Sequence, residues 1–443
     1  MPASARRRPS PRPWLAVLLA LGCGGTRGDG PASAATPTPA SASAPAPAIE
    51  APAEPAAPAP EELHGELTTQ QGQRVLRLWG TPTQMGHAHG ALLREEILEI
   101  VDGYALDVIP PATLDAAGAL YSTVARVPPR LREEAEGIVA GMKAAGGARV
   151  ERLDRELRAS DLLVLNAMTD LLAIGCSSVS AWGHGTEEDP SLAGAPIMVR
   201  NLDWSEDPEL LRNQLLIAYR PDDPERQPLV SVAFAGYIGC LSCMNEAGVS
   251  ALFNMGYGDG AASPGEALRG FSPANLLLRD TLERRDVDGD GRSTADDVEA
   301  AWREHQHAGS YLLHLLEPRR EGTEAPARVL EVEHDGVVAR SPGEGPLGPE
   351  LLAATNHMRR KAEPQSCSRY DQVLRSARNH ERRFDRDELW ALGTRLRLPQ
   401  VVCSLLVEPE ARRLGVWLRA PGQDAQAEIP PVVHEWSSLL GVP

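Results

Sequence analysis

The chain has 443 residues, 42% of them apolar, which is enough to bury a sizeable core. Asp and Glu number 61 against 44 Lys and Arg, a formal net charge of −17 at pH 7. Such a chain repels phosphates, which excludes a general nucleic-acid binder and a basic membrane-surface protein and leaves small neutral or amphiphilic molecules as partners.

Near the N-terminus Arg6, Arg7, Arg8 and Arg12 precede the nine-residue apolar run WLAVLLALG. That run is too short to cross a bilayer but has the length of a signal-peptide core, so residues 1–22 are expected to be a signal peptide. It ends in Leu21-Gly22-Cys23 before Gly24-Gly25, similar to the lipobox of bacterial lipoproteins, with Ala20 where leucine is usual. The expectation is an exported protein lipidated at Cys23, on the outer membrane or cell surface, with a periplasmic or secreted protein as the alternative. Residues 23–62, rich in Ala, Pro, Ser and Gly, have little to bury and read as an extended tether.

From residue 63 the sequence is ordinary globular sequence without an internal repeat. LRLWGTP (76–82 region) reads as a strand and turn, and GHAHGALLREEILEIVDGYALDVI as a helix with apolar positions at three- and four-residue steps. PPRLREEAEGIVAGMKAAGG puts Leu131, Ala135, Ile138, Val139 and Met142 on one helical face and stops at Gly146-Gly147. LRASDLLVLNAMTDLLA reads as a buried helix. At Gly175 the pattern changes: CSSVSAW, APIMVRNLDW, NQLLIAYR, PLVSVAFAG and GVSALFNM are short, β-branched and separated by Gly, Pro, Asp and Asn. Two helices (PANLLLRDTLERR, DDVEAAWREHQ), three strand-like runs (SYLLHLLEP, ARVLEVEHDG, LLAATNH), two more helices (SRYDQVLRSARNH, RDELWALGTRL) and a strand pair (VVCSLLVEP, RRLGVWLRA) complete the chain. This order predicts helices stacked on mainly antiparallel sheets, an α+β layered fold.

Besides Cys23, the cysteines are Cys176, Cys240, Cys243, Cys367 and Cys403. Their odd number leaves at least one unpaired thiol in an oxidising compartment. Cys240-Leu-Ser-Cys243 reads as a structural disulfide or inert thiols; a redox pair is the alternative, and no second CxxC or HxxxH supports zinc. If CSSVSAW and PIMVRNLDW pair as an antiparallel hairpin around GHGTEEDPSLAG, the start of the first strand lies beside the end of the second. Cys176 then sits beside Arg200 and Asp203, a cation that can stabilise a thiolate and a carboxylate that can orient an amine.

Gly-Cys-Ser-Ser followed by Arg-Asn-Leu-Asp-Trp resembles the penicillin acyltransferase-like family of N-terminal nucleophile hydrolases, with bile salt hydrolases, penicillin V acylases and acid ceramidases as more distant relatives. LWGTPTQMGHAHGALLREEI, LREEAEGIVAGMKAAGG, VLNAMTDLLAIGCSS, NEAGVSALFNM, ATNHM and SCSRYDQVL resemble further segments of that family in order. The resemblance implies a four-layer αββα sandwich with mainly antiparallel sheets and self-cleavage between Gly175 and Cys176. An α chain (63–175) and a β chain (176–443) would then remain associated. It implies Cys176 as nucleophile, its freed α-amine as base, and Asp203 and Arg200 beside them. Asn254 and Asn356 would lie near the oxyanion, and Arg369 in the pocket. The implied activity is hydrolysis or acyl transfer at linear N-acyl amide bonds through a Cys176 thioester, with no cofactor for catalysis. His87, His89 and His184 are expected to be structural or solvated.

DVDGDGRSTADD, residues 286–297, departs from that family. Asp286, Asp288, Asp290, Thr294 and Asp297 occupy positions 1, 3, 5, 9 and 12 of an EF-hand-like loop with Gly291 at 6, so a structural Ca²⁺ is expected there. The rival to an enzyme is a catalytically inactive, calcium-stabilised surface lipoprotein with a binding role.

Overall fold

The structure is a computed structural model that describes residues 63–171, 175–322 and 325–441. The signal peptide, Cys23 and the tether lie outside the described residues.

In chain order the main strands are β1 (Gly65–Gln70), β2 (Gln73–Gly80), β3 (Gly175–Ala181), β4 (Ile197–Asp203), β5 (Gln214–Pro221), β6 (Leu229–Phe234), β7 (Ser242–Asn245), β8 (Ser250–Met255), β9 (Tyr311–Leu316), β10 (Ala327–Glu333), β11 (Gly336–Arg340), β12 (Leu351–Ala354), β13 (Val401–Glu408), β14 (Arg413–Leu418) and β15 (Val432–Glu435). The main helices are α1 (Pro82–Leu92), α2 (Arg94–Ile100), α3 (Pro111–Val124), α4 (Pro129–Ala144), α5 (Ala159–Asn166), α6 (Ala274–Glu283), α7 (Ala295–Glu304), α8 (Ser368–Asn379) and α9 (Arg386–Arg395).

The strands form a nine-stranded sheet in the order β1-β2-β5-β6-β7-β8-β9-β10-β11 and a six-stranded sheet in the order β12-β3-β4-β13-β14-β15. Within these two sheets every pair is antiparallel except β2 with β5. The sheets meet face to face where β8 lies over β3 and where β9 and β10 lie over β12. α1 covers β1 and β2 and packs on α4, α6 and α7 lie on β7, β10 and β11, and α8 and α9 cover the six-stranded sheet. The order is therefore helix, sheet, sheet, helix: the αββα sandwich expected from the sequence.

Local chemistry explains the boundaries. Thr81 opens α1 through a capping box, its hydroxyl accepting from the Gln84 amide while the Gln84 side chain accepts from the Thr81 amide, with Pro82 at the first turn. Gly90 and Gly141 let α1 and α4 touch backbone to backbone. A Cβ on either would stand 1.9–2.0 Å from the Ile138 or His87 carbonyl oxygen. The single helix expected over GHAHGALLREEILEIVDGYALDVI is broken at Leu93, whose φ of −124° is not helical, and it passes through a π turn at Val101–Ala105. The break turns Leu93 into the core, where it is fully buried. α3 went unread because PATLDAAGALYSTV is rich in Ala and carries few large apolar residues.

Candidate active site

β3 reads GCSSVSA, and alternation sends Cys176, Ser178 and Ser180 to one face and Ser177, Val179 and Ala181 to the other. Val179 and Ala181 join the apolar layer beneath α8 and α9, whereas Cys176 belongs to the core between the sheets. The partner strand β4 splits in the same way: Val199 faces the helices, and Met198 and Leu202 face the other sheet. The pairing is the expected hairpin, with Gly175 opposite Asp203 and Cys176 opposite Leu202. The nucleophile candidate thus stands at the strand end, where groups from both layers reach it.

From the inner side comes Arg200, fully buried. Its Nη2 lies 3.4 Å from the Cys176 Sγ and donates to the Phe253 carbonyl at 2.8 Å, and its Nη1 donates to the Leu241 carbonyl at 2.6 Å. From the helical side comes Arg369, near the start of α8. Its Nη1 donates to the Cys176 carbonyl at 2.8 Å and to Asp203 Oδ2 at 3.0 Å, and its Nη2 donates to Asn356 Oδ1 at 2.5 Å. The same Asn356 oxygen accepts the Cys176 backbone N–H at 3.1 Å, while Asn356 Nδ2 donates to the Met255 carbonyl at 2.8 Å. Cys176, Arg200, Asp203, Asn356 and Arg369, scattered over almost 200 residues, form one contact set.

Asn254 joins more loosely. Its Nδ2 has contacts of 3.3–3.4 Å to the Thr355 and Ala354 carbonyls and the Ser178 hydroxyl. Its buried Oδ1 has no partner among the described residues. Ser178 lies on the Cys176 face two residues along, so the amide reaches the same face of β3 without being spent on strong bonds.

Gly175 has a specific reason to be glycine. A Cβ there would lie 3.0 Å from Asp203 Oδ2 and 3.2 Å from Asp203 Cβ, so any side chain would press against the carboxylate opposite the Gly175-Cys176 bond.

Burial pushes the Cys176 thiol up from its ordinary value, with the Arg200 guanidinium acting in the opposite direction. Burial also pushes the Asp203 carboxyl up to about 6, opposed by Arg369 and then by the Leu398 backbone and Arg200. Neighbouring Cys403 is pushed up to about 12 by burial. The site is buried, and its two arginines favour the ionised thiol and carboxylate.

His89 and His184 make their contacts outside the Cys176 set. His89 Nε2 accepts the Gly236 amide at 2.9 Å, and burial lowers its pKa to about 3. His184 is exposed and pairs with Glu187 at 2.7 Å. His314 joins the inner face of β3 without a motif to announce it. Its Nδ1 and Nε2 meet the Ser178 and Ser180 hydroxyls, each at 2.8 Å, and burial lowers its pKa to about 3. A polar residue inside the apolar run SYLLHLLEP was the available signal for this bond across the two sheets.

Cys240 and Cys243 form a disulfide, leaving Cys176, Cys367 and Cys403 as buried free thiols. In the 286–297 loop the carboxylates of Asp286, Asp288 and Asp290 gather with ligand atoms within 4.8 Å of one another, an oxygen donor set suited to a hard cation. Thr294 caps α7. Asp297 accepts from the Val287, Asp288 and Thr294 amides, so its oxygens serve the loop and the helix start.

No protein-family model matches the chain. Protein dcd1B of Dictyostelium discoideum is 26% identical over 183 residues, covering 38% of this chain and 35% of that protein. An uncharacterized protein of Archaeoglobus fulgidus is 28% identical over 203 residues, covering 40% of this chain and 32% of that one. The matched stretch thus spans about a third of the length of these curated relatives. Among solved structures, a Caenorhabditis elegans N-acylethanolamine-hydrolyzing acid amidase ortholog superposes with a TM-score of 0.41 at 18% identity, covering 53% of this chain and 93% of its own. A penicillin V acylase from Agrobacterium tumefaciens gives 0.36 at 11% identity, covering 55% and 83%. A conjugated bile acid hydrolase from Clostridium perfringens gives 0.33 at 9% identity, covering 60% and 95%.

Proposed function

We propose that the protein is an autoproteolytic N-terminal-cysteine enzyme that cleaves linear N-acyl amides, or transfers their acyl group, through a thioester on Cys176. The observation that carries this reading is the strand-end Cys176 thiol 3.4 Å from a fully buried arginine. Beside it Gly175 faces Asp203 so closely that a Cβ would lie 3.0 Å from the carboxylate.

In the first stage the Cys176 sulfur adds to the Gly175 carbonyl and the bond to the Cys176 nitrogen breaks. The thiol proton goes to that nitrogen, leaving a thioester and a free α-amine, and water then hydrolyses the thioester and releases the Gly175 carboxylate. In the second stage the amine, whose ordinary pKa is about 7.7–8.0, takes the proton from its own thiol at neutral pH. Asp203 and the Asn356 oxygen are the acceptors that orient the amine. Asn254, with its weakly committed amide, donates to the oxyanion. Arg369 ties Asp203, Asn356 and the Cys176 carbonyl together, and Arg200 supports the thiolate. The acyl group passes from substrate nitrogen to sulfur, and then to water or an acceptor amine.

Association of the two chains after cleavage is supported by β1 and β2, which lie in the nine-stranded sheet beside β5. It is also supported by Glu134 of α4, which takes a bidentate bond from Arg279 of α6. Export and anchoring at Cys23 rest on the sequence of residues 1–62 alone, and a structural Ca²⁺ rests on the three clustered carboxylates.

The test is N-terminal sequencing and intact mass of the purified protein. Two chains are expected, the second beginning at Cys176. Cys176→Ala should remain one chain and lose N-acyl hydrolysis to background. A wild-type protein that stays a single chain and resists thiol-directed acylating probes would favour the inactive binding protein.

A further inference from the structure

The Cys240–Cys243 disulfide takes no part in the chemistry above, yet it lies directly behind it. The bridge closes a four-residue turn, with 5.8 Å between the two Cα atoms. Both cysteines are buried. Between them lies Leu241, whose carbonyl accepts Arg200 Nη1 at 2.6 Å and the Phe253 amide at 3.0 Å. Phe253 in turn offers its carbonyl to Arg200 Nη2 at 2.8 Å. Arg200 Nε has no partner among the described residues. Two carbonyls therefore hold the guanidinium in the plane that brings Nη2 to the Cys176 sulfur, and removing one leaves the fork free to swing about the other.

Hydrogen bonds hold the turn on both sides, the Ile238 and Gly239 amides donating to Asn166 Oδ1 before it, and the bridge adds the covalent tie to β7. Cys243 sits within β7, paired with Ala251 on one side and Ser231 on the other. Cys240 and Leu241 precede that strand. Cys240 is held by its amide bond to the Asn275 carbonyl at 3.0 Å and by the bridge itself.

We propose that the Cys240–Cys243 bridge is a positioning element for the nucleophile: it fixes the Leu241 carbonyl, which holds the Arg200 guanidinium against the Cys176 thiol. Reduction by a small dithiol, itself oxidised to its disulfide, adds two electrons and two protons, opens the bridge to two thiols and removes the covalent tie that flanks Leu241. Cys176 reactivity thereby depends on the redox state of a pair that never touches substrate. This rests on the reading of Cys176 as nucleophile.

The test is the pH profile of Cys176 alkylation by iodoacetamide, located by peptide mass mapping and compared on the same cut or uncut form. Wild type is set against Cys240→Ser/Cys243→Ser. The variant is expected to show an apparent thiol pKa higher by about one unit and alkylation at pH 7.5 about tenfold slower, the loss of one oriented cation near the sulfur. Should the variant fail to fold, wild type refolded and held in a phosphine reductant, then desalted anaerobically, supplies the same comparison. A bridge that merely braces the fold would lower the melting temperature and leave the alkylation pKa in place, which would overturn the inference and spare the reading of the site. A wild-type Cys176 that never alkylates while Cys367 and Cys403 do so on unfolding would overturn both.

Discussion

Two buried arginines, Arg200 and Arg279, are both fully enclosed, and their surroundings differ in a way that separates structure from chemistry. Arg279 is saturated. Its Nη1 and Nη2 bond Glu134 at 2.8 and 2.7 Å, its Nε bonds Glu283 at 3.0 Å, and the guanidinium carbon lies 3.6 Å over the Tyr219 ring. Glu283 is shared with Arg130. Around Arg200 there are two carbonyls, a thiol at 3.4 Å and an Nε without a partner among the described residues. A saturated cluster holds segments together, whereas an unsaturated one keeps interaction capacity for groups that appear only during reaction.

The contrast breaks most visibly at Arg279. Arg279→Met would leave Glu134 and Glu283 buried without their main partner, and should cost about 3–5 kcal/mol in denaturant unfolding while activity per folded molecule stays unchanged. A loss of activity without a loss of stability would reverse the roles assigned to the two clusters. Next in size, Asn254→Ala should lower kcat by about 10²–10³-fold with little change in KM, as for loss of an oxyanion donor. An unchanged kcat would remove Asn254 from the site.

The third effect is a pH dependence. Asp203 has a folded pKa of about 6 against an ordinary value of 3.8. The folded state therefore holds this proton more tightly than the unfolded chain, and the stability it contributes at low pH is lost as pH rises from about 4 to about 6. The loss is about 3 kcal/mol, and it should be absent from the stability-versus-pH curve of Asp203→Asn. The smallest effect serves as the control: His184→Ala, at an exposed pair with Glu187, should leave self-cleavage, turnover and melting temperature as they are.

Much of this site was legible in the sequence because strand alternation and hairpin pairing are local. Gly175-Cys176 and Arg200-Asn-Leu-Asp203 lie on consecutive strands, and their register followed from the turn between them. Asn356 and Arg369 came from family resemblance, since no periodicity reveals that residues 180 and 193 positions downstream return to Cys176. The carbonyl of Leu241 was illegible because backbone acceptors carry no sequence signal, and His314 was hidden in an apolar strand run. The break at Leu93 was missed because an uninterrupted apolar pattern cannot tell a straight helix from one that bends to fill the core.

The most direct measurement of the central claim is mass analysis of the Cys176 peptide after brief mixing with an N-acyl amide and an acid quench. A thiol ester on Cys176, heavier by the acyl group less one hydrogen and removed by hydroxylamine, is predicted. Turnover without that adduct, persisting in Cys176→Ala, would contradict the account.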